Sequence, residues 1–216
     1  MIVTERRACS RPALLAAAAA VTAFLVVPLG VLVRDGWEPL RTADVRVVRS
    51  LELRSGSARD GVLVLTQLGA PLLLELTAAG LAVFLLSRRR RRLGSYVLVN
   101  LLGAELLSTI AKQVVARVRP CVEAVSGCPR STSFPSGHAV GAAAFWTAVA
   151  VLLLPLAGRL AWTFAVVPPL LVAATRVLLG VHYPSDVIAG LLLGWAWAAA
   201  STAVLASSGR ATTTST

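Results

Sequence analysis

Charge is scarce in this chain, and lysine almost absent. Asp, Glu, Lys and Arg make up 14% of the 216 residues, against about 25% in an ordinary soluble domain. Too few polar side chains remain to coat a water-exposed globule of this size. One lysine, Lys112, stands against twenty arginines, and there are only two histidines, His138 and His182. With no Cys-x-x-Cys and no His-rich run, a bound structural or catalytic metal is not expected. The net charge of +11 comes without the basic stripe and interleaved aromatics of a nucleic-acid binder, so nucleic acid is not an expected partner.

What the chain has instead is apolar length. Hydrophobic residues make up 56% of it. They gather in six stretches nearly free of charge, approximately Pro12 to Val33, Gly61 to Leu86, Leu93 to Ala111, Gly137 to Ala157, Leu160 to Leu179 and Val187 to Ala206. Each is long enough to cross a hydrocarbon core about 30 Å thick. Backbone groups in lipid must be satisfied within their own segment, so these should be helices. The expected fold is all-α: one integral membrane bundle of six transmembrane helices over residues 1–206. A Ser/Thr-rich disordered tail follows over 207–216.

The opening Arg6, Arg7 and Arg11 before an Ala-rich run read as a retained signal-anchor helix. Between the second and third stretches lie five consecutive arginines, Arg88 to Arg92, a strong cytoplasmic marker. Basic residues divide almost evenly between the two sides, but those on the first side crowd short flanks, where the positive-inside rule applies. The N-terminus is therefore placed in the cytoplasm of a multi-pass plasma-membrane protein. The polar stretch Arg34 to Asp60 has room for a short interfacial helix. Cys121 and Cys128, seven positions apart in one polar loop, are read as a disulfide, which would put that loop in an oxidising compartment; two free thiols are the alternative. Pro168-Pro169 should kink the fifth helix, and Gly190-x-x-x-Gly194 suits close helix packing. Glu75 and Glu105, inside the second and third stretches, are read as a structural pairing within the bundle.

The chemistry-bearing residues stand at the ends of the apolar stretches. Lys112 and Arg119 follow the third, Ser133-Phe-Pro135-Ser136-Gly137-His138 opens the fourth, and Thr175-Arg176 with His182 and Asp186 joins the fifth to the sixth. In a bundle whose helices alternate in direction, these ends meet at one membrane interface, whichever side that is. Lys112, Arg119 and Arg176 suit a phosphate dianion, because guanidinium donors match its oxygens in pairs. Ser136 is a natural N-cap, and Gly137 lets an anion approach the free amides of a helix start. Four residues separate His182 from Asp186, a spacing that allows the carboxylate to fix the imidazole tautomer and leave the other ring nitrogen free to attack. Cations at helix ends ordinarily snorkel to head groups, so the argument rests on the three clusters together.

Lys-x6-Arg-Pro, Pro-Ser-Gly-His and Arg-x5-His-x3-Asp resemble the three signature motifs of the type-2 phosphatidic acid phosphatase superfamily, which also includes vanadium haloperoxidases and bacterial acid phosphatases. One departure is Thr175, where the family usually has Ser; the hydroxyl is kept. The resemblance implies a metal-independent enzyme without cofactor. His182 would be the nucleophile, Asp186 its orienting carboxylate and His138 the general acid. Lys112, Arg119, Ser136, Gly137 and Arg176 would hold the phosphate. The substrate would be a lipid phosphate drawn from the bilayer: a polyprenyl diphosphate, phosphatidate or phosphatidylglycerol phosphate, taken at the outer face. Two other readings stand beside it. One is a vanadate-dependent peroxidase, against which the six apolar stretches argue; the other is a non-catalytic membrane protein on the same fold, against which the intact histidines argue.

Overall fold

The computed structural model describes residues 2–120 and 131–211, with side chains over 13–120 and 131–207. Cys121 and Cys128, and with them the disulfide reading, lie outside the described residues, as do residues 212–216 of the expected tail. Eight α-helices and no strand occur among the described residues.

Helix α1 (Ile2–Arg34) holds the first apolar stretch, most of whose side chains face outward. Helix α2 (Glu38–Leu51) is the short amphipathic element anticipated between Arg34 and Asp60. It buries Asp44 and Val48, and Arg41, Arg46 and Arg49 are exposed. Its exit is tied to the end of α7 (Trp162–Leu178) by the Leu53 amide, which donates to the Leu178 carbonyl at 2.8 Å.

The second apolar stretch is not the continuous helix expected over Gly61 to Leu86. It divides into α3 (Ser57–Leu65) and α4 (Pro71–Ser87), joined by a 3₁₀ turn at Thr66–Gly69 and bent by 41°. Pro71 has no amide to continue the ladder. Gly69 presses on α6 (Gly137–Ala157), so closely that a Cβ there would stand 3.1 Å from the His138 carbonyl.

Helix α5 (Arg91–Val115) ends when Ala116 turns left-handed at φ 50° and its amide caps the Lys112 carbonyl. Helix α6 runs to Gly158, whose φ of 54° reverses the chain after a helix of 21 residues. Helix α7 then returns alongside α6: Ala139 and Ala143 near the start of one share a cluster with Ala173 and Val177 near the end of the other. The helix continues through Pro168 and Pro169. Helix α8 (Pro184–Ala211) starts at Pro184, a residue preset for a first turn. It runs on through 207–211, the first part of the segment expected to be a tail.

Helix α6 is the axis of the bundle. Its Phe145 and Ala148 pack with Leu74, Leu85, Tyr96 and Leu101; its Ala139 and Ala143 with Val48, Val187 and Leu191; its Val140 and Ala144 with Ala104. Small residues permit this crowding. A Cβ at Gly190 or Gly194 would stand 2.8 or 2.5 Å from the carbonyl oxygens of Ser136 and Val140, so α8 lies against the α6 backbone. Buried Asn100 donates to the Ala144 carbonyl at 2.8 Å and accepts from Ser201 at 3.0 Å, pinning α5, α6 and α8 together.

Four helical segments are long and apolar enough to cross a membrane: 13–34, 91–115, 137–178 and 184–207. The bent α3–α4 pair makes a fifth when taken as one span. The segment 137–178 contains both α6 and α7.

Candidate active site

The end of α5, the starts of α6 and α8 and the end of α7 meet at one end of the bundle. The Ser136 amide, at the N-cap of α6, donates to the Asp186 carbonyl at 3.0 Å, joining the two helix starts. The chain leaving α5 runs beside them, and the Ser133 amide bonds the Arg117 carbonyl at 2.7 Å. Lys112 lies in the last turn of α5, whereas Arg119 stands beyond the helix end, in irregular chain.

His182 is fully buried in the short connection between α7 and α8. Its Nε2 lies 2.9 Å from Nη1 of Arg119, which also donates to the Val181 carbonyl at 3.1 Å. A guanidinium only donates, so Nε2 is the acceptor and the ring proton sits on Nδ1. Burial, with a smaller contribution from the Arg119 charge, holds the His182 imidazole down at about 4 although Asp186 pulls the other way. The ring is therefore neutral near pH 7, with a lone pair directed at Arg119. Burial likewise holds Arg119 below its ordinary range, partly offset by Asp186. The Arg119 fork is steadied by Ser131, through its carbonyl and hydroxyl, each at 2.9 Å.

Around this pair stand the other expected cradle residues. His138, in the first turn of α6, is within electrostatic range of Arg176, His182, Lys112 and Arg119. Lys112 reaches over Gly137, where a Cβ would come within 3.1 Å of the ammonium. Arg176 is buried and donates through Nη1 to the Thr66 hydroxyl at 3.0 Å, while its Nε has no protein partner. Ser136 occupies the N-cap position without making the side-chain cap bond; its Oγ is buried and unpartnered. A buried polar group without a partner is costly, and Arg176 and Ser136 carry such groups among cations.

Asp186 stands beside His182 but has other partners as well. Its Oδ2 lies 3.6 Å from Nδ1 of His182, beyond hydrogen-bond reach. That oxygen already accepts from the Ser133 hydroxyl and from the Tyr183 amide, the latter at 2.9 Å. Its Oδ1 accepts from Arg117 at 2.7 Å. Arg117 in turn reaches Asp44 of α2 at 2.7 Å, donates to the Ser185 hydroxyl at 2.7 Å, and stacks 4.0 Å over the Tyr183 ring. Burial opposes the Arg117 charge, but Asp186 and Asp44 outweigh it and hold the guanidinium above its usual range. Asp44 also accepts from the Ser185 amide at 3.0 Å. The buried Asp186 carboxylate is thus balanced by Arg117, and α2 is latched to the start of α8.

The sequence model of the PAP2 superfamily matches residues 92–210, which span every cradle residue and both histidines. The chain belongs to the PAP2 superfamily. Among curated members, an undecaprenyl-diphosphatase of Sulfolobus acidocaldarius is 34% identical over 118 residues, 52% of this chain and 55% of that protein. A decaprenylphosphoryl-5-phosphoribose phosphatase of Mycobacterium tuberculosis is 38% identical over 127 residues, 55% of this chain and 64% of that protein. A lipid A 1-phosphatase of Rhizobium johnstonii is 36% identical over 122 residues, covering 48% of its own length. The chain thus spans about half to two thirds of the curated PAP2 relatives it matches. In fold, it resembles the crystal structure of a transmembrane PAP2 type phosphatidylglycerolphosphate phosphatase from Bacillus subtilis, with TM-score 0.74, 24% identity, and coverage of 94% of this chain and 97% of that one.

Within this PAP2 chain, sequence reading passed over Arg117, Asp44, Ser185 and Thr66, and took Ser133 as part of a motif without giving it a task. Arg117 was a spacer inside Lys-x6-Arg. Asp44 carried a usable signal: it stands four residues after Leu40 and four before Val48, an acid on the apolar stripe of an amphipathic helix. Of the two acids expected to pair within the bundle, Glu105 lies within electrostatic range of Lys112 and of Glu75, though neither forms a hydrogen bond with it among the described residues. Glu75 faces outward from α4, and the buried Oε1 of Glu105 has no hydrogen-bond partner, lying instead against Gly141.

Proposed function

We propose that this PAP2 protein is an integral membrane phosphatase that removes phosphate from a lipid by way of a phosphohistidine on His182. The observation that carries this is the Nε2 lone pair of a neutral, buried His182 held 2.9 Å from Arg119, among Lys112, Arg176 and His138. A nucleophilic imidazole must be unprotonated, and a phosphoryl group in transfer needs donors for its equatorial oxygens. Lys112, Arg119 and Arg176, with the Ser136 hydroxyl and the backbone at Gly137, take that task. Arg119 exchanges Nε2 for a phosphate oxygen as substrate enters, which frees the lone pair as the phosphorus arrives.

In the first step Nε2 bonds to phosphorus, the bond from phosphorus to the leaving oxygen breaks, and that oxygen takes a proton from His138. The bound dianion supplies the counter-charge His138 needs to carry that proton. In the second step water attacks phosphorus, gives a proton to His138, and the phosphorus–nitrogen bond breaks. Asp186 orients His182 across the 3.6 Å separation, held in place by Arg117, Ser133 and the Tyr183 amide. No step calls on a metal or cofactor.

The substrate class follows from the setting. Helices that cross the bilayer bring the cradle to the depth of a lipid phosphate, and relatives with lipid-phosphate names support that reading. A polyprenyl diphosphate, phosphatidate and phosphatidylglycerol phosphate remain the three candidates. The chain crosses six times: α6 and α7 once each, the bent α3–α4 pair once, and α1, α5 and α8 once each. The arginine run at 88–92 lies in the cytoplasm with the N-terminus, and the catalytic end faces outward at the plasma membrane.

The test is phosphate release from these lipids by the purified protein in detergent, with excess chelator and then with orthovanadate. Turnover should survive chelation and stop with vanadate, which mimics a trigonal-bipyramidal transition state on His182. Loss with chelator, restored by magnesium, would remove the metal-free mechanism.

A further inference from the structure

The end of the bundle remote from the catalytic cluster carries a second feature that the reaction does not use. Between α5 and α8 lies a groove of about 400 Å³, walled by Tyr96, Val99, Trp197, Val204 and Leu205, with Arg92 at its end. Ala200 and Ser201, being small, leave room along its floor. Val99 and Val204, at 54% and 65% exposure, open it toward the lipid-facing surface.

Position separates this groove from the site already described. Arg92 and Lys112 stand on the same helix, twenty residues and therefore about 30 Å apart. That is the thickness of a hydrocarbon core, so the two lie at opposite membrane faces. Charge says what could fill it. Arg92 belongs to the exposed run Arg88 to Arg92, and no carboxylate pairs with any of the five among the described residues. Among the described residues Arg92 donates only to the Leu205 carbonyl, at 3.3 Å, and the rest of its fork is open to an anion. Tyr96 stands one turn in from Arg92, close to head-group depth, whereas the Trp197 indole lies deeper, donating to the Val99 carbonyl at 3.3 Å, where an acyl chain would run.

We infer that this groove is a binding site for an anionic phospholipid of the leaflet opposite the catalytic cluster. The phosphate rests on Arg92 and its neighbours, and one acyl chain lies between Tyr96 and Trp197. A zwitterionic lipid brings its own cation to five uncompensated guanidiniums and is disfavoured. An occupant here also bridges α5 and α8 where the buried Asn100–Ser201 bond gives way to lipid-facing side chains.

Trp197 gives the readout. The protein is reconstituted in phosphatidylcholine nanodiscs, and tryptophan fluorescence is followed as phosphatidylglycerol with brominated acyl chains is added. Brominated phosphatidylcholine serves as the reference. Phosphatidylglycerol is a phosphodiester, so it does not report phosphatase turnover. Excess quenching by the anionic lipid is expected, weakening with salt and lost in Trp197→Phe. Arg92→Gln should weaken apparent binding about fivefold, the scale of one cation at a membrane surface. Arg92→Lys should retain most of it, and Ala200→Trp should abolish it by filling the groove. His182→Ala should leave the excess unchanged. Equal quenching by the two lipids would overturn the proposal, and would leave the groove to a protein segment or to lipid without preference. Excess quenching lost in His182→Ala but kept in Arg92→Gln would also overturn it, by moving the lipid to the catalytic cluster.

Discussion

Because the chain has only two histidines, His138→Gln leaves His182 as the sole imidazole, and its titration can be followed directly by NMR of ring-¹⁵N-labelled protein in detergent micelles. Burial holds that ring at about 4, against about 6.5 for a free histidine. At roughly 1.36 kcal/mol per unit, the difference amounts to about 3 kcal/mol in favour of the neutral ring. The midpoint should therefore lie near 4, and above it the spectrum should show Nδ1 protonated and Nε2 bare. Arg119→Gln removes a charge that opposes protonation and should move the midpoint up. Asp186→Asn removes the group that favours the imidazolium and should move it down. The unfolded chain protonates this histidine near 6.5 while the folded protein resists until about 4. Its contribution to stability is thus complete above 6.5 and shrinks as pH falls through that window. A midpoint between 6 and 7, or a downward move in Arg119→Gln, would refute the claim that burial and Arg119 keep His182, the proposed nucleophile, neutral.

Other outcomes follow from the same geometry. His182→Ala should abolish turnover on every substrate, whereas His138→Ala should lose about 10²–10⁴-fold on a lipid and far less on p-nitrophenyl phosphate, whose leaving group needs no proton; equal losses would remove the acid role. Asp44→Ala deprives Arg117 of one of its two carboxylates and should cost about 3–5 kcal/mol by thermal or denaturant unfolding. Asp44→Asn should fold, yet lower kcat with KM little changed, since it acts on Asp186 through Arg117; a change confined to KM would place Asp44 at the substrate instead. Gly194→Ala should destabilise by about 1–3 kcal/mol, because the new methyl would meet the Val140 carbonyl at 2.5 Å; an unchanged melting temperature would mean that α8 yields there at no cost.

Much of this architecture is legible in one dimension because lipid imposes a local rule. A segment that cannot hydrogen-bond to solvent must satisfy its own backbone, so apolar length alone announced α5, α6, α7 and α8 within about five residues of their ends. It announced α1 at its end but not at its start, which extends back to Ile2. The same rule brings the proposed catalytic cluster together: helices alternating in direction carry Lys112, Ser136, His138, Arg176 and His182 to one face whatever the details of packing. Contacts that local composition does not encode were decided in three dimensions. At the break at Gly69 and Pro71 the turn is pressed by Val172 of α7 and by the His138 carbonyl of α6, and periodicity carries no trace of such neighbours. Glu105 shares a helix face with Lys112, as its spacing of seven indicates, but that the Glu75 carboxylate also comes within its electrostatic range depends on how α4 packs against α5, which a helix face does not show. Spacing of four put Asp186 beside His182, where it lies at 3.6 Å, but the closer donors to its carboxylate come from Ser133, Tyr183 and Arg117, which spacing does not show. Arg117 is in turn set by Asp44, more than seventy positions earlier. Sequence spacing determines which residues share a helix end, but which carboxylate a buried guanidinium takes depends on desolvation and on every donor within reach, and that is settled only when α2, α5 and α8 are packed together.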